Sequence, residues 1–171
     1  MDLTTYLRDV QDFPKPGIVF KDISPLLAST DAMRECIRRM AELVDGEQIH
    51  WVAGIESRGF LFGTPLAMEL GAGFVPIRKP GKLPWKTNKI EYALEYGSDS
   101  LEIHEDAIES GQRVLLVDDL LATGGTMRAA CDLVEGIGGV VSGCLFAIEL
   151  SFLPGREKLA GRPVHTVMSI D

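Results

Sequence analysis

The stretch "VLLVDDLLATGGTM" (residues 114–127) decides how the rest of the chain is interpreted. Its first four residues are apolar and typical of a buried β-strand, and Asp118 and Asp119 follow them directly. The turn "ATGGT" (residues 122–126) comes next, and apolar residues at helical spacing begin at about Thr126. A strand, a glycine-rich turn and a helix in this order predict one βα unit of an α/β fold.

The rest of the chain repeats this alternation of strands and helices. Short apolar runs predict buried strands at residues 51–55, 73–78, 113–119, 140–150 and 164–170. Apolar spacing predicts helices at residues 31–44 and 60–70 and from about 126. Strands that are apolar along their whole length indicate a sheet covered on both faces. We therefore predict one domain (residues 1–171) with a doubly wound, mainly parallel sheet flanked by helices, and a ligand at the carboxyl ends of the strands.

Composition limits the class of protein. Hydrophobic residues make up 46% of the chain and charged residues 25%, which is a globular balance. The net charge of −8 argues against a nucleic-acid binder, and no apolar run approaches the length of a membrane span. Cys36, Cys131 and Cys144 lack the spacing of a zinc site or a disulfide framework. Because no signal-peptide pattern occurs at the N-terminus, we expect a cytoplasmic protein without membrane or nucleic-acid partners.

The turn has the chemistry of a phosphate site. It comprises Ala122, Thr123, Gly124, Gly125 and Thr126. Both glycines can take positive φ, and consecutive N–H groups at a helix N-terminus bind anions. Two carboxylates would repel a phosphate but suit sugar hydroxyls or a metal-bound group, so the stretch predicts a phosphorylated sugar. The alternative is a plain turn with a capping aspartate. Such a turn does not need two adjacent carboxylates, whose desolvation costs free energy. The lysine of a Walker A loop is missing.

A second strand end carries polar residues. Glu56, Ser57 and Arg58 follow the strand at residues 51–55. The guanidinium of Arg58 offers a fork of donors to phosphate oxygens, although it could also be a surface arginine at a helix start.

A basic segment follows the strand at residues 73–78. No acidic residue interrupts residues 70–90, and the segment carries Arg78, Lys79, Lys82, Lys86 and Lys89. Pro80, Gly81 and Pro84 interrupt regular structure. We predict a mobile, positively charged lid (residues 79–93) suited to a polyanion such as pyrophosphate, with an ordinary solvated loop as the alternative.

Glutamates follow the lid at four positions, namely Glu91, Glu95, Glu102 and Glu105. Any of them could act as a base, and spacing alone does not choose between them.

These stretches together resemble one family. "VLLVDDLLATGGT" is similar to the phosphoribosyl pyrophosphate signature of type I phosphoribosyltransferases. The segments "FPKPGIVFKDISPLL", "GIESRGFLFG", "IRKPGKLP", "LEYG" and "FLPGREKL" resemble, in order, segments of the adenine-specific members. The resemblance spans about residues 13–159. It implies a type I phosphoribosyltransferase fold with a small N-terminal hood (residues 1–30) that binds the base.

The resemblance also implies an activity and partners. The expected reaction transfers 5-phosphoribosyl from phosphoribosyl pyrophosphate to adenine and gives AMP and pyrophosphate. It implies Mg²⁺ held mainly by the substrate, with no assigned protein ligand, and a homodimer. Two alternatives remain, a transferase for a 6-oxopurine and a non-catalytic regulator that senses phosphoribosyl pyrophosphate and binds nucleic acid. A pI of about 4.9 argues against the regulator.

The resemblance implies roles for the residues around the donor. Residues 122–126 would hold the 5′-phosphate, and Asp118 and Asp119 would face the ribose hydroxyls. The pyrophosphate would meet Glu56, Ser57, Arg58, Lys79 and Lys82, and the loop at Glu56 is expected to contain a cis peptide.

The resemblance implies a second set of roles around the base. Phe20 would stack on adenine while main-chain groups of Val19 and Lys21 read its 6-amino edge. Glu95 would be the catalytic acid/base, with Tyr96 beside it and Arg58 assisting the leaving group.

Overall fold

The computed structural model describes residues 1–93 and 97–171. Glu95 and Tyr96, the predicted catalytic pair, therefore lie outside the described residues. The strands are β1 (Arg8–Gln11), β2 (Val19–Asp22), β3 (Trp51–Ile55), β4 (Gly73–Ile77), β5 (Thr87–Ala93), β6 (Ser98–His104), β7 (Arg113–Leu121), β8 (Val140–Leu150) and β9 (Val164–Ile170). The helices are α1 (Ser24–Ala28), α2 (Thr30–Glu42), α3 (Gly59–Leu70) and α4 (Gly125–Gly136), with 3₁₀ helices at Leu3–Tyr6 and Gly155–Leu159.

The main sheet is parallel and has the order β4-β3-β7-β8-β9. Adjacent residues of β7 point to opposite faces, so Leu115 and Leu116 belong to two different buried clusters. Leu115 packs with Phe62 of α3 on the face that α2 also covers, whereas Leu116 packs with Val134 of α4. Helices on both faces confirm the predicted doubly wound α/β class.

The helices follow the predicted apolar spacing. In α2, Cys36, Ile37 and Met40 are buried, and the Ser29 side chain accepts a hydrogen bond from the Ala32 N–H at the start of the helix. At the end of α3, Gly71 adopts the left-handed conformation with φ of 64°. No helix among the described residues is long and apolar enough to cross a membrane.

Strand β7 extends further than predicted. The prediction placed Asp118 and Asp119 at the carboxyl end of the strand, but β7 continues to Leu121 because β8 continues to pair with it, with Leu121 opposite Glu149. On the other side, pairing with β3 ends at Val117. The two aspartates therefore lie beyond the last residue of β7 that pairs with β3, while their strand remains held by β8.

The N-terminal segment contains more structure than its proline content predicts. We expected an extended segment over residues 13–27, and β2 does pair antiparallel with β1 within it. However, residues 24–28 form helix α1. Pro25 is compatible with this helix because it stands in the first turn, where a proline is tolerated. Burial of Leu26 against the α2 side of the core holds this helix in place.

The predicted lid is only partly irregular. Residues 79–86 contain no helix or strand, as the prolines and Gly81 predict, and Gly81 has φ of 77°. Residues 87–93 instead form β5, which pairs antiparallel with β6. Leu101 and Ile103 of β6 are buried, with Tyr92 of β5 packed against the same cluster. This apolar contact explains why the second half of the segment is a strand; the mobility of residues 79–93 stays a prediction.

Candidate active site

The glycine-rich turn owes its shape to one close backbone contact. Gly124 has φ of 78°, and a Cβ at this position would lie 2.4 Å from the carbonyl oxygen of Gly155. A Cβ on Gly155 would in turn lie 2.4 Å from the Ala122 carbonyl oxygen. Gly124 therefore needs both its conformation and its lack of a side chain. Gly125, which could also take positive φ, is the first residue of α4 and is helical.

The start of α4 leaves main-chain donors for a ligand. Gly124 is the residue before the helix and has no side chain with which to cap it. The first N–H groups of a helix have no partner within it and carry the positive end of its dipole. Lys158, on the 3₁₀ helix Gly155–Leu159, brings its Nζ atom to 3.8 Å from the position of a Cβ on Gly125. Lys158 was not predicted as a site residue, although it lies in "FLPGREKL".

A cavity of about 220 Å³ lies between this turn and the sheet. Its lining contains the whole turn 122–126 together with Asp118, Asp119 and Arg58. These residues come from two different βα connections, and the fold brings them together as the sequence predicts. The cavity therefore combines main-chain donors, carboxylates and a guanidinium.

The paired aspartates are held by local contacts. Asp119 is only 3% exposed and accepts a salt bridge from Arg58, with Nε and Oδ2 at 2.9 Å. Asp118 Oδ1 accepts a hydrogen bond of 2.9 Å from the Asp119 N–H. Burial and the charge of Asp119 raise the pKa of Asp118 well above its usual value. Burial also raises the pKa of Asp119, against the opposing effect of Arg58. Groups that donate hydrogen bonds to these carboxylates would relieve this cost.

Arg58 connects the sheet to the N-terminal hairpin. Its guanidinium carbon lies 5.4 Å from the centroid of the Phe20 ring, within range of a cation–π contact. The Phe20 ring also meets the edge of Phe13, with centroids 5.1 Å apart. Beside it, the Lys21 side chain forms a salt bridge with Asp9 at 2.6 Å, across the β1–β2 pair. Val19 is exposed.

The predicted pyrophosphate loop contacts the base of the lid. The Glu56–Ser57 peptide bond is cis, as the resemblance implies. The Glu56 carboxylate accepts hydrogen bonds from the Lys79 N–H at 3.0 Å and Arg78 Nε at 3.1 Å, and lies 3.8 Å from Lys82 Nζ. Burial alone would raise the pKa of Glu56, but these hydrogen bonds and charges outweigh it and lower the pKa. The structure thus directs the Glu56 side chain at the lid rather than into the cavity.

Two further residues join the lid to the turn. Lys79 Nζ forms a salt bridge with Asp99 of β6. The Tyr92 hydroxyl of β5 lies 3.4 Å from Asp99 Oδ2 and 3.2 Å from Thr126 Oγ1. Sequence reasoning missed Asp99 and Tyr92 because their partners are 20 and 34 residues away, and no local motif marks such pairs.

The other glutamates after the lid have partners of their own. Glu91 accepts a hydrogen bond from Ser98 at 2.7 Å, Glu102 accepts one from the Gly81 N–H at 3.2 Å, and Glu105 lies 3.9 Å from Lys86. None of the three lines the 220 Å³ cavity, as far as the described residues define it. Within residues 1–93 and 97–171, no three His, Cys, Asp or Glu side chains cluster into a metal site.

A larger groove lies elsewhere on the surface. It has a volume of about 830 Å³ and lies between α2 and α3, lined in part by Met33, Ile37, Pro65 and Met68. Its lining includes no predicted site residue. Met68 is 80% exposed, which is unusual for a large apolar side chain.

Comparison with known proteins first defines the class. A family model described as a phosphoribosyl transferase domain matches residues 22–149. The match includes the turn 122–126, both aspartates, Arg58 and the lid. The fold and the cavity described above are therefore those of a phosphoribosyltransferase.

Individual relatives narrow the class. The adenine phosphoribosyltransferase of Kosmotoga olearia is 52% identical over 169 residues, which cover 99% of each chain. The crystal structure of adenine phosphoribosyltransferase from Thermoanaerobacter pseudethanolicus superposes with a TM-score of 0.96 at 51% identity, covering 99% of this chain and 98% of that one. The enzyme of Saccharomyces cerevisiae, crystallised with adenine and an imino-altritol bisphosphate, has a TM-score of 0.91 at 42% identity, covering 97% and 96%.

The chain belongs to the adenine phosphoribosyltransferase family. It is a purine-salvage transferase that moves 5-phosphoribosyl from phosphoribosyl pyrophosphate to adenine, giving AMP and pyrophosphate. The expected activity is thus confirmed over the two alternatives, a 6-oxopurine transferase and a regulator.

Proposed function

We propose that the cavity beside β7 holds phosphoribosyl pyrophosphate in one orientation. The 5′-phosphate lies on residues 122–126, the ribose hydroxyls meet Asp118 and Asp119, and the pyrophosphate lies toward Arg58. The observation that supports this orientation is the shared cavity, in which main-chain donors lie at one end and Arg58 at the other. Ser57, Lys79 and Lys82 complete the pyrophosphate side, while Glu56 holds the lid base through Lys79 and Lys82.

We propose that adenine binds beside Phe20. The position of Arg58 against the Phe20 ring supports this, because a base stacked on that ring would lie next to the departing pyrophosphate. Val19 and Lys21 flank Phe20 on β2, and their main-chain groups share one edge of the strand, where they can read the 6-amino group. A 6-amino group donates hydrogen bonds to these main-chain groups, and a 6-oxo group cannot. The site would therefore exclude 6-oxopurines.

The chemistry follows from charge. Phosphoribosyl transfer passes through an oxocarbenium-like state, so positive charge develops on the ribose while pyrophosphate leaves. The carboxylates of Asp118 and Asp119 stabilise the first charge, and Arg58, Lys79 and Lys82 stabilise the second. Glu95, with Tyr96 beside it, handles the purine-ring proton; both lie outside the described residues.

Mg²⁺ is proposed to enter with the donor. This ion prefers oxygen ligands, and the phosphate oxygens of the donor supply most of them. The cavity fits an ion held mainly by the substrate. Its two carboxylates are adjacent, and one of them, Asp119, already binds Arg58, so the protein has few oxygen atoms left for Mg²⁺. When bound, Mg²⁺ would neutralise charge on the leaving pyrophosphate.

Further proposals concern organisation and assembly. We propose that residues 1–30 form the base-binding hood and residues 79–93 a lid that closes over the donor within the single domain 1–171.

A homodimer is proposed through the family likeness, and the exposed Met68 beside the 830 Å³ groove is a candidate contact. A cytoplasmic location is supported by Cys131 and Cys144, which lie buried without a disulfide although their sulfur atoms are 3.5 Å apart.

One experiment tests the catalytic assignment. The purified protein is assayed with Mg²⁺, phosphoribosyl pyrophosphate and adenine, hypoxanthine or guanine, and nucleotide is expected with adenine alone. Glu95→Ala should keep the fold and lose about 100-fold or more in kcat, because general acid–base catalysis contributes about that much. Glu91→Ala, four residues earlier in the chain, is the matched control and should keep near-normal turnover. Near-normal kcat in Glu95→Ala would contradict the role of Glu95.

A further inference from the structure

Asp99 occupies a position that the reaction does not explain by itself. It lies on β6, and its carboxylate binds Lys79 Nζ of the lid and the main-chain N–H of Ser100, the latter at 2.8 Å. Its side chain is 31% exposed and that of Lys79 is 38% exposed, so the pair lies at the border between the hairpin and solvent. Asp99 does not line the 220 Å³ cavity.

Tyr92 continues the contact toward the phosphate turn. Its hydroxyl lies 3.4 Å from Asp99 Oδ2 and 3.2 Å from Thr126 Oγ1. The phenol donates its single proton to the Asp99 carboxylate, so its oxygen accepts the hydroxyl proton of Thr126, and the main-chain N–H of Thr126 remains for a phosphate oxygen. A continuous path of polar contacts therefore runs from Lys79 through Asp99 and Tyr92 to Thr126.

The charges along this path agree with an ion pair. The hydrogen bond from Lys79 lowers the pKa of Asp99, against the opposing effect of its partial burial. Burial alone would lower the pKa of Lys79, but the bond to Asp99 outweighs it and raises the pKa. Both groups are thus charged at neutral pH. Since an ammonium group has three N–H donors, Lys79 can bind Asp99 and still donate to a polyanion.

We propose that Asp99 is a positioning residue for the donor phosphoribosyl pyrophosphate. The Asp99 carboxylate fixes Lys79 and Tyr92, and it thereby keeps the pyrophosphate end of the site at a set distance from the 5′-phosphate turn. The inference rests on the proposed function, in which Lys79 meets pyrophosphate and Thr126 meets the 5′-phosphate. A lysine side chain has a flexible four-carbon stem, and a fixed partner reduces the entropy lost when it binds a ligand. A second hairpin contact, between Ser98 and Glu91, joins the same strands without reaching Lys79 or Thr126.

The test compares four variants with the wild type. Asp99→Ala should raise KM for phosphoribosyl pyrophosphate about tenfold, equivalent to about 1.4 kcal/mol, with kcat and the KM for adenine within about twofold. Lys79→Ala should raise the same KM at least as much. Because Asp99 acts in part through Lys79, the effect of the double variant should be smaller than the product of the two single effects. Ser98→Ala, which removes the other hairpin contact, should leave both KM values unchanged, and thermal melting checks that all variants fold.

The outcomes separate two failures. An unchanged KM in Lys79→Ala would overturn the pyrophosphate role of Lys79 and the inference with it. A raised KM in Lys79→Ala with an unchanged KM in Asp99→Ala would overturn the inference alone. Effects that multiply in the double variant, or an equal rise in Ser98→Ala, would identify a general effect on the hairpin and would also overturn it.

Discussion

The phosphate turn and the lid base bind neighbouring parts of one substrate but are built in opposite ways. The turn consists of five consecutive residues at the junction of β7 and α4, and its donors are main-chain groups. The lid base is assembled from Glu56, Arg78, Lys79 and Asp99, which lie on three separate segments and interact mainly through charged side chains. A turn of this kind is fixed by backbone conformation, whereas the lid base depends on ion pairs that water and salt can replace.

This difference predicts how each region fails. A change of backbone conformation should abolish binding at the turn, because its N–H groups must converge on one point. A loss of one charge at the lid base should have a graded effect, because partly exposed ion pairs contribute little individually.

The largest expected effect comes from Gly124→Ala. The alanine would have to hold φ of 78° with its Cβ 2.4 Å from the Gly155 carbonyl oxygen, so the turn must move. We expect kcat/KM to fall about 100-fold or more, comparable to the loss of a donor at an oxyanion site. The free energy of unfolding should also fall by about 1–3 kcal/mol.

Gly136→Ala is the matched control for this variant. Gly136 ends the same helix, with no atom within 4 Å of its Cβ position. It should keep wild-type activity and stability, measured by steady-state kinetics and denaturant unfolding. Equal activity of the two variants would contradict the requirement for Gly124.

The next effect separates activity from stability. Because the pKa of Asp118 is raised in the folded protein, stability is lost as the pH rises from the ordinary aspartate pKa to the raised pKa, and it stays lower above that pKa. Asp118→Asn should therefore melt a few degrees higher at pH 8, and the gain should shrink as the pH falls from the raised pKa toward the ordinary value of 3.8. The same variant should lose about 10- to 100-fold in kcat, because the carboxylate no longer stabilises the oxocarbenium charge. Asp106→Asn, on the surface, should change neither quantity; a lower melting temperature of Asp118→Asn at pH 8 would refute the argument.

A smaller effect is expected at the lid base. Glu56→Gln keeps an acceptor for the Lys79 N–H but removes the charge that attracts Arg78 and Lys82. We expect KM for phosphoribosyl pyrophosphate to rise about three- to tenfold at low salt, with the ratio to wild type approaching one in high salt. Glu105→Gln, which loses an exposed pair with Lys86, should match the wild type. A defect in Glu56→Gln that is independent of salt would show that the carboxylate acts through shape rather than charge.

The same contrast explains what the sequence could predict. The five strands of the main sheet and the turn 122–126 were predicted because each is encoded by a continuous stretch with its own periodicity or glycine pattern. The end of β7 was not, since its last residues are held by pairing with β8 and not by their own composition. Hairpin β5–β6 was missed for a similar reason, as its stability comes from Leu101 and Ile103 packing on the core.

The site shows the same limit. The grouping of Asp118, Asp119 and Arg58 follows from the rule that strand ends of a parallel sheet meet at one edge. The direction of the Glu56 side chain and the Lys79–Asp99 pair could not be predicted, because the tertiary packing of the hairpin decides which charges meet.

Lys158 combines features of the two regions, because it is a charged side chain like those of the lid base but lies at the phosphate turn. Its replacement should have the smallest effect on KM. It is an exposed side chain, yet its Nζ reaches the turn, 3.8 Å from the Cβ position of Gly125. Lys158→Ala should raise KM for phosphoribosyl pyrophosphate about threefold, since an exposed charge near a phosphate contributes up to about 1 kcal/mol, and the KM for adenine should not change. Lys158→Arg keeps the charge and should restore the wild-type KM, as measured by initial rates at low salt. If Lys158→Arg is as impaired as Lys158→Ala, or if the defect persists in high salt, then the lysine acts through packing, and the turn binds its phosphate with main-chain groups alone.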